Sequence, residues 1–446
     1  MTNLNYEQTR IPENQAATTT RPDQRRSLIA TGVGNLLEWF DWAVYAVFAT
    51  YISGALFDKA DPVSALLGTL AVFAVGFVMR PLGGWFFGRL ADKKGRKWVL
   101  MVTMLTMAGG SLMIALIPSY ETIGGFASVL LVLARLIQGF AHGGESTASN
   151  VYLPEIAPKN KRAIFGSTIG VAMSGGTLLA TLFGRLLAQQ LEPVDMATWG
   201  WRIPFFFGAL LALAVLWLRR NMMESEVHTE HVEATGTTLQ EKTVALPNWS
   251  RGKIFSRSVQ IFFYMAGTTL PYYIWSSYAA VFAISQHGMD PAAAFGATLG
   301  AMLINIALTP IMGWVSDKIG RRPPVIFYNL ATAALTFPMF AMINDSAWTL
   351  FVAQSVMMGI SACIAGTQPA MMAEQVPTAY RTLIMGTAMP LAVALFGGTA
   401  PYLNTYFNSV DLGWAFNVYM IAVCLGSAFV VWRWKETKGI DLRDVR

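Results

Sequence analysis

Charge is what this sequence lacks most. Only 13% of its 446 residues are Asp, Glu, Lys or Arg, while 54% are hydrophobic; a water-soluble domain carries about a quarter charged residues. A chain this poor in charge cannot cover an ordinary soluble surface, which excludes a string of soluble domains and suits lipid. Thiols are almost as scarce. Cys363 and Cys424 both fall in apolar runs without ligand spacing, which excludes a disulfide framework or a zinc site and predicts two buried, structural cysteines. There is no nucleophile–base constellation, no phosphate-cradling glycine loop and no metal-ligand pattern. No enzyme activity, cofactor or metal is therefore expected, and ATP is not the expected energy source. The segment through Thr20 lacks the apolar core of a cleaved secretory signal, so the first apolar run is expected to direct insertion itself.

What the chain has in quantity is long apolar runs. They lie near 28–56, 66–90, 98–118, 125–150, 163–190 and 203–219, then near 258–285, 291–315, 325–343, 347–372, 382–406 and 412–433. Each approaches the roughly 20 residues that cross a bilayer. The expected fold is an all-α membrane protein of twelve transmembrane helices in two six-helix bundles. Its parts would be a tail at 1–27, a bundle at 28–220, a linker at 221–257, a second bundle at 258–433 and a tail at 434–446. Paired glycines at 83–84, 143–144, 175–176 and 397–398 read as places where helix backbones approach closely. The bases settle orientation. Every Lys and Arg except Lys59, Arg80, Arg135, Arg185 and Arg202 falls on the tails or on the loops of one side. This positive-inside pattern predicts both termini in the cytoplasm of a cell inner membrane. The net charge of +6 thus reports topology rather than a nucleic-acid partner.

The sequence also repeats. Gly88-Arg89-Leu90-Ala91-Asp92-Lys93-Lys94-Gly95-Arg96-Lys97 returns as Gly313-Trp314-Val315-Ser316-Asp317-Lys318-Ile319-Gly320-Arg321-Arg322. Glu155, Pro158 and Arg162 return, with the same spacing, as Glu374, Pro377 and Arg381. Two elements recurring in the same order imply a duplicated six-helix unit.

The repeated loop element resembles the signature of the major facilitator superfamily, as does Arg135-Leu136-Ile137-Gln138-Gly139 on the fourth span. More narrowly, residues 34–41 (Gly-Asn-Leu-Leu-Glu-Trp-Phe-Asp), Arg80-Pro81-Leu82-Gly83-Gly84-Trp85, Gly143-Gly144-Glu145 and residues 199–205 (Trp-Gly-Trp-Arg-Ile-Pro-Phe) look like the metabolite:proton symporter family. The resemblance runs from about Arg25 to the C-terminus. It implies a secondary active transporter working by alternating access, with proton-coupled uptake of a small organic acid. Tyr120–Gly124 and Trp217–Arg220 are most similar to the branch that carries 2-oxoglutarate. Other branches carry shikimate, citrate or proline and betaine. His142 departs from the family pattern, where an uncharged residue is expected.

Candidate site residues are those whose charge sits where charge is costly, about 2.5–3.5 kcal/mol at a helix centre on insertion scales. Asp41 lies some 20 Å into span 1 at about 1.5 Å per residue, with Glu38 three residues before it and Tyr45 four after. Asp41 and Glu38 are read as proton-coupling acids; the alternative is a salt bridge that only orients the span. Arg80 and Arg135 also lie inside spans. Arginine's planar fork suits a carboxylate, so an anionic substrate is expected. Gln138, His142 and Glu145 continue a stripe from Arg135, with Glu145 a further proton-coupling candidate. Arg135 is alternatively neutralised by Asp41 or Glu145. Tyr273 is taken from the aromatic seventh span. Asn305, Gln354, Thr367 and Gln368 are further polar candidates. Asp92, Arg96, Asp317, Arg321, Glu155, Arg162, Glu374 and Arg381 are expected to latch helix ends during gating. Arg202 is read either as attracting anions or as anchoring an aromatic belt with Trp199 and Trp201. The partners expected are the organic acid, protons and lipid, with the protein a monomer. An efflux antiporter is the main rival on the same fold, but the fifth span, with Gly166, Gly170, Gly175 and Gly176, lacks the Gly-Pro element such exporters carry. A membrane enzyme or sensor would need a catalytic cluster or an added domain.

Overall fold

The computed structural model describes residues 21–94, 96–220, 249–442 and 445; the side chains of 21–31, 91–93, 96, 97, 100, 144–156, 215, 217–220, 378, 379 and 382 lie outside the described set. The helices, in order, are α1 (Arg21–Val47, resumed after Phe48 as Ala49–Leu56), α2 (Pro62–Lys94), α3 (Arg96–Leu116), α4 (Phe126–Ile156), α5 (Arg162–Gln190) and α6 (Ile203–Arg220). The second half has α7 (Arg251–Tyr273, continuing through Ile274–Tyr278 and Ala279–His287), α8 (Pro291–Ile319), α9 (Arg322–Met342), α10 (Ala347–Gln375), α11 (Thr378–Ala392, continuing through Val393–Gly398 and Ala400–Ser409) and α12 (Gly413–Arg433). Among the described residues there is no strand.

Eight helical stretches among the described residues are long and apolar enough to cross a membrane. The other four have identifiable reasons for falling short. The most apolar parts of α3 and α6 are brief, Met101–Leu116 and Gly200–Ala214. α1 turns Asn35, Glu38 and Asp41 into the protein interior, and α7 carries Thr268, Thr269, Ser276 and Ser277 among its tyrosines. Outward faces carry Val78, Leu82, Leu116, Leu210, Phe327 and Trp432, all more than half exposed. A surface this apolar is stable against acyl chains.

Glycine fixes how the first half packs. A Cβ on Gly139 of α4 would stand 1.9 Å from the Gly76 carbonyl oxygen of α2, and one on Gly143 would stand 2.0 Å from that of Arg80. Only hydrogen fits at those crossings, so α2 and α4 touch backbone to backbone and Arg80 is delivered beside His142. α7 and α11 each contain a wide π-helical turn, Ile274–Tyr278 and Val393–Gly398. Each follows a proline by three residues, Pro271 and Pro390, which removes one backbone donor and loosens the ladder. The Gln354 amide donates to the Trp275 carbonyl at 2.7 Å, satisfying an acceptor in the loosened turn.

The halves meet along α5, α8 and α10. Gly170 faces Ala365 and Gly166 faces Pro369. Asn305 donates to the Met358 carbonyl at 2.7 Å and accepts from Ser174 at 2.6 Å. Asn305 and Gln354 therefore tie helices together, a role worth about 0.6–2 kcal/mol per bond in lipid, and neither lines the central cavity. Arg202 helps to close a helix end and rests 4.5 Å over the Trp201 ring. Its guanidinium donates to the carbonyls of Ala115 (2.8 Å) and Ile117 (2.5 Å), closing the C-terminal end of α3, and Trp201 beside it is fully buried rather than interfacial.

Candidate functional site

A cavity of about 120 Å³ lies between the halves, near the middle of the helices. α1 supplies Asn35, Glu38 and Trp39; α2 supplies Arg80 and α4 His142. From the second half come Thr268, Thr269, Tyr272 and Tyr273 of α7 and Gln368 of α10, with Met265, Met385 and Met389 filling the remaining wall. Of the residues expected to touch substrate, Arg80, His142 and Tyr273 reach this wall. Arg135, Gln138 and Tyr45 are buried one layer behind it.

The reason is Trp42, which sequence reasoning passed over. Its ring is sandwiched between two guanidinium groups, with Arg80 Cζ at 4.1 Å and Arg135 Cζ at 3.9 Å from the centroid. Arg135 also lies 4.3 Å over Tyr45, whose hydroxyl donates to the Thr69 carbonyl at 2.9 Å. Cation–π contact of this kind is worth about 2 kcal/mol or more when desolvated, and it keeps two like charges apart. Arg80 further rests 4.0 Å over Phe77. Its Nε and Nη2 have no hydrogen-bond partner among the described residues, although the side chain is only 7% exposed. Glu38 and Tyr273 are its electrostatic neighbours. Arg80 thus presents a fork of donors to the cavity.

Arg135 instead turns its Nη1 to the Gln138 carbonyl oxygen at 3.0 Å, and the Gln138 amide donates to Asp41 at 2.8 Å and to Ser111 at 2.9 Å. Ser111 of α3 donates its hydroxyl to the same Asp41 carboxylate. Asp41 makes no ion pair among the described residues; Gln138 stands between it and Arg135. The polar stripe on α4 therefore divides, Gln138 turning to Asp41 and His142 to the cavity. Glu38 approaches His142 Nδ1 at 2.5 Å. Ser111 had no signal in the sequence, because one Ser among apolar residues looks like ordinary helix packing. Trp39 and Tyr272, meeting edge to face at 6.3 Å, are further wall residues that a span rich in aromatics conceals.

At the end that carries the tail and the basic loops, the duplicated elements pair crosswise. Glu374 of α10 accepts from Arg162 of α5 at 2.8 Å, from Arg321 at 3.0 Å through both Nε and Nη2, and from Thr437 at 2.9 Å. Asp317, bonded to Arg321 at 2.7 Å, accepts from the backbone N–H groups of Ala163 and Ile164, each at 3.0 Å. An acid of one half thereby caps the first turn of a helix in the other. Arg381 donates to the carbonyls of Ala373 and Val376. The side chains of Asp92, Arg96, Glu145 and Glu155 lie outside the described residues. The tail joins in: Glu436 accepts from the N–H groups of Arg321 (2.8 Å) and Arg322 (3.0 Å), opening α9, and Asp441 pairs with Lys159 at 2.5 Å. At the opposite end, Phe48 stacks on Phe295 of the second half, and beside the cavity Gly398 packs against Phe77. The halves touch on both sides of the cavity.

The sequence matches the Major Facilitator Superfamily over residues 31–389 and again over 292–442. It is 34% identical to the α-ketoglutarate permease of Escherichia coli K12 over 436 residues, covering 95% of this chain and 97% of that one. It is 31% identical to the proline/betaine transporter of Salmonella typhimurium LT2 over 422 residues, 90% of this chain and 82% of that. In structure it is similar to the xylose transporter of Escherichia coli, with a TM-score of 0.70 at 20% identity, covering 94% of this chain and 98% of the other; that likeness speaks for the fold. Two pseudo-symmetric six-helix bundles, apolar outward faces and these matches lead to one conclusion: the chain belongs to the Major Facilitator Superfamily and is a multi-pass membrane transporter, not an enzyme.

Proposed function

We propose that this transporter takes up a small organic acid, 2-oxoglutarate or a related dicarboxylate, together with protons, by alternating access across the cell inner membrane with both termini in the cytoplasm. The observation that carries the reading is Arg80, a buried guanidinium with unpartnered donors at the wall of a cavity. A carboxylate is the group whose geometry matches that fork, and 34% identity to an α-ketoglutarate permease supports the same class. Asp41, held by Ser111 and Gln138 without an ion pair, is the acid we assign to proton coupling, with Glu38 beside it. Alternating access would break the crosswise contacts of Asp317 and Glu374 when the basic end opens.

A second reading has an observation of its own. Trp39, Tyr272 and Tyr273 form an aromatic wall near Arg80, which would hold a quaternary ammonium while Arg80 held its carboxylate. That describes betaine, and it accords with the proline/betaine relative. Uptake of labelled 2-oxoglutarate and betaine by proteoliposomes under an imposed pH gradient separates the two. Accumulation of the dicarboxylate, lost in Asp41→Asn while exchange across the membrane persists, is the expected result. Tight binding of betaine with none for dicarboxylates would overturn the anion reading, and wild-type accumulation by Asp41→Asn would remove it as the coupling acid.

A further inference from the structure

We propose that Glu38 is a proton valve: it shares one proton with His142 at the central cavity and exchanges it with Asp41 through a separate side chamber. This adds a route to the proton-coupled reading above and rests on it. The chamber is a second cavity of about 30 Å³ between α1, α3 and α6, walled by Glu38, Asp41, Ser111, Met104, Met107 and Gly208. Glu38 is the one described residue that lines both this chamber and the central cavity. Asp41 faces only the chamber. A space of this size holds one or two waters at about 10–15 Å³ each, and two carboxyl groups with a hydroxyl supply the partners such water needs.

The other side of the valve is a conflict over a single nitrogen. His142 Nδ1 lies 2.5 Å from Glu38 Oε1 and 3.0 Å from Trp42 Nε1. An indole N–H only donates, so its bond forms when Nδ1 carries no proton. The ion pair with Glu38 forms when Nδ1 does carry one. The geometry therefore supports two placements, imidazolium beside carboxylate or neutral imidazole beside carboxylic acid, with Trp42 occupying Nδ1 in the second. In the transfer, the Nδ1–H bond breaks as a Glu38 O–H bond forms. That bond then breaks as chamber water accepts the proton and delivers one to an Asp41 oxygen. The groups facing the pair are Arg80 from α2, Tyr272 and Tyr273 from α7, and Asp41 on α1 itself across the side chamber, with Arg135 of α4 set behind Trp42.

The test is time-resolved infrared spectroscopy of the purified full-length protein after a pH jump, following the Asp41 carboxyl band, identified by its loss in Asp41→Asn. Glu38→Gln should slow Asp41 protonation on the order of a hundredfold or more, the usual worth of a positioned proton-transfer group. Gly208→Ala tests the chamber without disturbing either partner. Its Cβ would stand 3.3 Å from the Phe40 ring and 3.7 Å from Asp41 Oδ1, so it narrows the space with little displacement and should also slow the step. His142→Gln should move the pH at which the Glu38 carboxyl band appears. Wild-type rates in both Glu38→Gln and Gly208→Ala would overturn the valve. Because the readout needs no transport, the two proposals fail separately: Glu38-dependent protonation in a protein that accumulates no acid under a pH gradient upholds the valve and overturns symport, and gradient-driven accumulation with Glu38-independent protonation does the reverse.

Discussion

Replacing Asp317 by alanine should open the basic end of the transporter. The carboxylate accepts two backbone N–H groups, of Ala163 and Ile164, at 3.0 Å each, and both belong to the other half. In an arrangement with the halves parted there, those bonds do not exist. The 2.7 Å bond to Arg321 lies within one half, persists in both arrangements and so cancels. What remains is the loss of a helix cap, up to about 2 kcal/mol. At tenfold per roughly 1.4 kcal/mol, the population open at that end should rise about thirtyfold. The assay is the rate of maleimide reaction with a cysteine at Ala365, which sits on α10 against Gly170 of α5, with Cys363 and Cys424 replaced by alanine. When opening is fast relative to labelling, the rate follows the open population. A rate within twofold of the parent would refute the reasoning, because it would mean that Asp317 contributes equally to both arrangements.

Arg80→Lys should weaken dicarboxylate binding by one to two orders of magnitude, about 1.5–3 kcal/mol for charge-assisted bonds lost with the fork, as read by scintillation binding; near-normal affinity would take Arg80 out of the site. Gly139→Ala, whose Cβ would meet the Gly76 carbonyl at 1.9 Å, should cost about 3 kcal/mol or abolish folding, whereas Gly109→Ala, with nothing within 4 Å, should leave the melting temperature unchanged or raised. Glu436 is partly desolvated, yet four backbone N–H donors, Arg321, Arg322, Lys438 and Thr437, hold its carboxyl below the usual value of 4.5. A depressed folded-state value gives stability that is present above pH 4.5 and lost as pH falls through the lower folded value. The gap in melting temperature between wild type and Glu436→Gln should therefore narrow progressively as pH drops below about 4.5, and a gap that does not narrow at all between about pH 7 and pH 3 would show that the tail is not held by that charge.

The sequence by itself determined the solvent, the number of spans and the repeat. Hydrophobic length and scarcity of charge are properties of composition that lipid enforces segment by segment, so Leu-, Val- and Phe-rich runs declare themselves without tertiary information. Buried charges at Glu38, Asp41, Arg80 and Arg135 were legible for the same reason: each is costly in a span, so it marks the interior. Which interior group each would face was decided only by the tertiary structure. Arg80 and Arg135 look equivalent in the sequence, yet one lines the cavity and the other lies behind Trp42, because the Gly76–Gly139 crossing sets the rotation of α2 against α4. The crosswise pairing of Glu374 with Arg162 was likewise invisible, since a duplicated motif gives no hint that its members exchange partners between halves. Ser111 and Gly208 acquire meaning only when α3 and α6 close around Asp41. Contacts between helices distant in the chain depend on helix rotation and register, and neither is encoded in any single span.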